Sequence, residues 1–132
     1  MKRNKYIILG EIDIQPLISS RDFLKEALQT VENKFEVAGA IQAFEVCYEL
    51  SWKTLKKVLG VYGIEVLNPR DTFRLAVHHG LITNLKTWFD YIKKRNITTH
   101  EYYNEIMEQV YPILPKFLKD LNLLVKNLEK IK

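Results

Sequence analysis

The sequence predicts an all-α fold, an antiparallel four- to five-helix up-and-down bundle whose last helix is long and kinked by proline. Three observations lead there. Apolar residues recur at steps of three and four from about Ser20 almost to the C-terminus, the spacing of one buried helix face. The five glycines and four prolines fall where helices should start or stop. No segment requires a strand.

Leu24, Leu28, Val31 and Phe35 mark a first helix from about Ser20. Val37, Ile41, Phe44, Tyr48, Leu55 and Leu59 carry a second, longer helix, widened by Ala40, Cys47 and Val58 and stopped by Gly60 and Gly63. This helix is expected at the centre. Asn68, Pro69 and Asp71 then form a strong helix start: Asn caps, Pro suits a first turn where its missing N–H costs nothing, and the acid meets the positive end of the dipole. Gly80 ends that short helix, with the adjacent His78 and His79 diverging by about 100° and so unable to chelate as a pair.

Leu85, Trp88, Phe89 and Ile92 make a fourth stripe leading into Lys93, Lys94 and Arg95, cations that suit a helix C-terminus. Thr98 and Glu101 stand in capping-box relation, which places a break near Ile97 and a new start at Thr98 or Thr99. Tyr103, Ile106, Val110, Ile113, Phe117, Leu121, Leu124 and Leu128 form the seam of the last helix, which Pro112 and Pro115 must kink or split. Tyr103 falls on that seam and is expected in the core; Tyr102 is off it and expected exposed. Trp52 and Trp88 lie on apolar stripes and are expected to pack rather than stack on bases.

Whole-chain properties narrow the function. The 132 residues are expected to form one domain, residues 1–132, with residues 1–19 as an N-terminal extension. Hydrophobic content of 47% with 27% charged residues is globular composition, not the signature of disorder. Cys47, the single cysteine, sits among apolar residues as a buried thiol, which favours the cytoplasm. The opening MKRNKYIILGEID has too short an apolar segment for a signal peptide, and no run approaches a membrane span. A net charge of +4 fits a nucleic-acid partner but is also common on ordinary soluble proteins.

Chemistry concentrates in RNITTHEYYNE, Arg95 to Glu105. On an unbroken helix the step from Arg95 to His100 turns about 140°, so the two side chains diverge. A turn at Ile97 would let them converge. His100 near a new helix N-terminus would be held as a neutral base, while Arg95 stays charged. A base able to take a hydroxyl proton beside a fixed cation able to stabilise a phosphoryl oxyanion is equipment for metal-independent RNA cleavage, with the RNA's own 2′-hydroxyl as nucleophile. Ordinary surface residues would also fit this spacing. Glu45, Glu49 and Lys53 recur one turn apart and are expected as an ion-pair stripe, with Arg70 and Arg74 as further partners for the carboxylates. No metal site, no cofactor and no phosphate-binding glycine loop is expected.

FEVCYELSWKTLKKVL (Phe44 to Leu59), NPRDTFRLAVHHGLI (Asn68 to Ile82) and a tryptophan followed by RNITTHEYYNE, in this order, resemble the nucleotidyltransferase substrate-binding proteins of the HEPN superfamily over about residues 20 to 118. The resemblance implies a helical bundle, a homodimer and a minimal nucleotidyltransferase as partner, often in a toxin–antitoxin pair. Arg95, Asn96 and His100 match the superfamily's RNase motif, and Tyr102 stands where related toxins receive the nucleotide that silences them. The leading expectation is a substrate-binding subunit in which Lys94, Arg95 and His100, with Asn96, contact an RNA or nucleotide. The alternative is an RNase toxin with His100 as base, Arg95 as stabiliser, Asn96 as orienter and Tyr102 as acceptor. A purely structural role for the partner's folding or assembly is the third.

Overall fold

The computed structural model describes residues 4–100 and 102–131, with His100 described by its backbone alone. A two-stranded hairpin, β1 (Ile7–Ile8) and β2 (Ile12–Asp13), precedes α1 (Gln15–Thr30), α2 (Lys34–Val61), α3 (Pro69–His78), α4 (Leu85–His100), α5 (Tyr103–Gln109), a 3-10 turn (Tyr111–Ile113) and α6 (Leu114–Glu129). The architecture is the expected all-α antiparallel bundle with a bent last helix. Its axis is α2, which packs against α1, α3, α4 and α6. Phe44, Cys47, Leu55, Val58 and Leu59 are fully buried along it, as the periodicity requires.

The helix starts explain where the sequence reading and the fold part. Helix α1 begins at Gln15 rather than Ser20, with Pro16 in its first turn. It ends before Val31, because the Asn33 side chain takes the N–H groups of Phe35 and Glu36, at 3.0 and 2.9 Å, and starts α2 there. Phe35 therefore leaves the first helix's face and stands 76% exposed. Asn68 caps α3 as expected, accepting from Asp71 N–H at 2.9 Å. Gly63 and Gly80, at φ +84° and +75°, take the left-handed conformation that closes α2 and α3.

The hairpin was not expected. Ile7 pairs with Asp13 and Ile8 with Ile12 around a turn in which Leu9 and Gly10 have positive φ. Two residues per strand are too few for any alternation to show in the sequence. Ile8, Ile12, Ile14 and Leu17 from this N-terminal stretch all join the main core.

Helix α4 corrects the expected break at Ile97. It runs on through Ile97, Thr98 and Thr99 to residue 100. Thr98 and Thr99 do not cap a new helix; their hydroxyls donate back to the carbonyls of Arg95 and Asn96, at 2.6 and 2.9 Å, and so remain within α4. Glu101, the other half of the expected capping box, lies outside the described residues. The next helix starts at Tyr103, and the prolines split the C-terminal seam into two helices: α5 ends at Gln109 and α6 starts at Leu114 with Pro115 in its first turn. Tyr103 is exposed rather than core, its hydroxyl donating to Lys34 C=O at 3.2 Å.

The core is aromatic at its centre. Phe117 meets Phe44 at 4.8 Å and Tyr91 at 5.0 Å between ring centroids, and Trp88 lies 5.0 Å from Phe73. The buried Tyr91 hydroxyl donates to Asp120. Burial pushes the Cys47 thiol up to about 12, offset in part by Arg21, and raises the Tyr48 and Tyr91 hydroxyls well above their ordinary range. A group with a raised folded-state pKa favours folding fully below its unfolded value and loses that contribution as pH rises through the folded one. For Cys47 this window runs from 9.0 to about 12. Urea midpoints should therefore be flat below the window and fall within it, by up to about 1.4 kcal/mol per pH unit for each such group. Cys47→Ala should show a shallower fall.

Candidate functional site

An open cleft of about 760 Å³ lies where α2, the start of α3 and the second half of α4 meet. Tyr48, Glu49 and Trp52 line it from α2; Asn68, Pro69, Arg70 and Asp71 from the α3 start; and Ile92, Arg95, Asn96 and Thr99 from α4. Both blocks that stood out in the sequence, NPRD and the RNITTHEYYNE run, thus contribute to one surface.

Arg95 is the half-buried cation of this cleft. Its Nε lies 3.7 Å from Glu49 Oε1, close enough for charge attraction but too long for a hydrogen bond, and it has no hydrogen-bond partner among the described residues. The other Glu49 oxygen accepts from Trp52 Nε1 at 3.1 Å and faces Lys53 Nζ at 3.7 Å. The expected Glu49–Lys53 pair is therefore present, but the same carboxylate is also the counter-ion of Arg95. Sequence reading missed this because the two residues sit on different helices and no local spacing links them. A carboxylate held by an indole N–H thus faces the Nε edge of Arg95 within the same cleft.

The other charges of the cleft are arranged differently. Asp71 is occupied by Arg74 at 2.9 Å, so Arg74 pairs within its own helix rather than with Glu45 or Glu49. Arg70 instead sits over the Phe89 ring, 4.3 Å from its centroid. Trp52 is half-buried on the cleft wall, whereas Trp88 is core, as expected.

The remaining predicted residues divide. Asn96 is exposed in the cleft beside Arg95. Lys94 is not among the lining residues and faces Asp90 at 4.0 Å. Residue 100 closes α4, one turn beyond Asn96 on the same helix face, rather than opening a new helix. The continuous helix sets positions 95 and 100 about 140° apart, so the expected turn at Ile97 that would have brought them together is absent. The His100 side chain lies outside the described residues. Tyr102 is 84% exposed and precedes α5 with no side-chain capping hydrogen bond among the described residues.

Comparison with known proteins places these features in a family. A Haemophilus influenzae protein described as a probable ribonuclease HepT is 34% identical over 123 residues, covering 86% of this chain and 80% of that protein. Among solved structures, one from Haemophilus influenzae, described as revealing the fold of a substrate binding domain of a nucleotidyltransferase, superposes with a TM-score of 0.79 at 28% identity, over 88% of this chain and 98% of that one. The crystal structure of a Thermus thermophilus protein gives 0.77 at 26% identity, over 85% and 98%. Residues 13–130, nearly the whole chain and all of the cleft, match the family described as nucleotidyltransferase substrate binding protein like, and the chain belongs to that family.

Proposed function

We propose that this chain is the substrate-binding component of a nucleotidyltransferase system and that its cleft receives a phosphate-bearing substrate, RNA or nucleotide, through Arg95 and Asn96. The observation that carries this reading is Arg95, a half-buried cation lining an open cleft and paired with Glu49 at 3.7 Å, too long for a hydrogen bond. A planar cation fixed from one side is suited to an oxyanion arriving from the other. The family description and the substrate-binding relative support the same reading. Catalysis of nucleotide transfer then belongs to the partner chain, and the unit we propose is a homodimer of this chain with that partner. Co-expression with a minimal nucleotidyltransferase encoded beside it should give a stable complex. Arg95→Ala should leave that complex intact while weakening capture of the phosphate-bearing substrate by about tenfold or more, as expected for a charge-assisted contact. Failure of the two chains to associate would sink the reading.

The relative described as a probable ribonuclease favours a second, catalytic use of the same surface. In it, His100 takes the proton of an RNA 2′-hydroxyl, the 2′-oxygen attacks the adjacent phosphorus, and the 5′-oxygen leaves as a hydroxyl with a proton taken from water, giving a 2′,3′-cyclic phosphate. Arg95 stabilises the phosphoryl charge and Asn96 orients the group. The exposed Tyr102 hydroxyl is then the place where the nucleotidyltransferase attaches a nucleotide and silences the toxin.

A further inference from the structure

The NPRD block raises a question that Arg95 does not answer. Asn68 and Pro69 fix the first turn of α3 against the cleft, and the residue they present there is Arg70. The cap is doubly tied: Asn68 accepts from the Asp71 N–H at 2.9 Å and donates to the Asp71 carboxylate at 3.1 Å. Arg70 itself is exposed, makes no ion pair or hydrogen bond among the described residues, and rests on the Phe89 ring.

Stacking on an aromatic ring orders a guanidinium without using its in-plane N–H donors. The acids that could neutralise it are already engaged, Asp71 with Arg74 and Glu49 with Arg95 and Lys53. One cleft therefore holds two arginines on two different helices, one braced by a carboxylate and one by a ring. A single phosphate needs one such fork. Two forks lining one cleft of about 760 Å³, one from the α3 start and one from α4, suit a chain of phosphates.

We propose that Arg70 is a second phosphate anchor, so that the cleft binds single-stranded RNA along its length, with one backbone phosphate on Arg95 and a neighbouring one on Arg70. This rests on the reading of the Arg95 cleft as a site for a phosphate-bearing substrate. An unpaired strand is the form of RNA that fits, because its backbone can bend between two fixed cations while its bases turn toward apolar walls such as Trp52 and Ile92.

The test is the salt dependence of binding. A short mixed-sequence 2′-O-methyl oligoribonucleotide, which cannot cleave by attack of its own 2′-oxygen, is titrated by fluorescence anisotropy at several salt concentrations. Arg70→Ala and Arg70→Gln are compared with the parent chain, with Arg95→Ala and with Lys86→Ala, which removes an exposed cation that does not line the cleft. Thermal melts check that each variant is folded, and Arg70→Gln retains most of the stem that packs on Phe89.

The expected result is about tenfold weaker binding for both Arg70 variants and a loss of about 0.7 from the slope of log affinity against log salt, one phosphate contact on a single strand. Lys86→Ala should match the parent. An Arg95→Ala defect with unchanged binding in the Arg70 variants would overturn the second anchor and leave the Arg95 site standing. Equal dependence on Arg70 for a mononucleotide and for the oligonucleotide would overturn the strand-length site. If the parent chain binds no oligonucleotide at all, the RNA site and the second anchor both fall.

Discussion

Under the ribonuclease reading, His100→Ala is expected to lower RNA cleavage by on the order of 100-fold or more, the usual cost of removing a general base. Arg95→Ala should cost a similar factor, because a fixed donor at the developing phosphoryl charge contributes on the order of 100- to 1,000-fold. The assay uses the chain free of nucleotide on Tyr102, a mixed RNA substrate, and parallel reactions with and without chelator. Cleavage should be insensitive to chelator and leave 2′,3′-cyclic phosphate ends, since the nucleophile is the adjacent 2′-oxygen and no metal-bound water is required. Retained cleavage in a folded His100→Ala variant would remove His100 from the mechanism. No cleavage by the folded, unmodified parent would discard the ribonuclease reading and leave the substrate-binding one. Attachment of a nucleotide to Tyr102 should abolish the activity, and Tyr102→Phe should escape that control while still cleaving.

Phe117→Ala is expected to cost about 3–5 kcal/mol of stability, the range for truncating a fully buried aromatic. Phe117 is fully buried and meets Phe44, Tyr91 and Trp88, with edge-on geometry toward all three. It packs α6 against both α2 and α4. Its removal leaves a cavity that three rigid rings cannot collapse to fill. At this chain length that corresponds to a fall in Tm of roughly 10–20 °C. Thermal and urea unfolding followed by circular dichroism measure it. A loss below about 1 kcal/mol would mean that the ring cluster is not the keystone of the bundle.

The sequence was most legible where the signal was local. Asn68–Pro69 announced the start of α3, and Gly63 and Gly80 announced two helix ends, because capping chemistry acts within a few residues. The faces of α2 and α6 came from spacing for the same reason. Local signals also misled. Thr98 resembled a cap, yet its hydroxyl bonds back to Arg95 C=O and α4 runs on to residue 100. Phe35 continued the stripe of α1 by spacing, but Asn33 had already started α2 and turned it to the surface.

By itself, the sequence determined the all-α bundle, the central place of α2, the proline break before α6 and the family, since each rests on residues a few positions apart or on ordered blocks of them. The tertiary structure alone decided that Glu49 is the counter-ion of Arg95, that Arg70 rests on Phe89, and that the NPRD and RNITTH blocks share one cleft. The physical reason is range. Periodicity and capping are written into one helix at a time, whereas a charge pair or a stacked cation between helices exists only after the apolar faces have packed and fixed which polar residues meet across them.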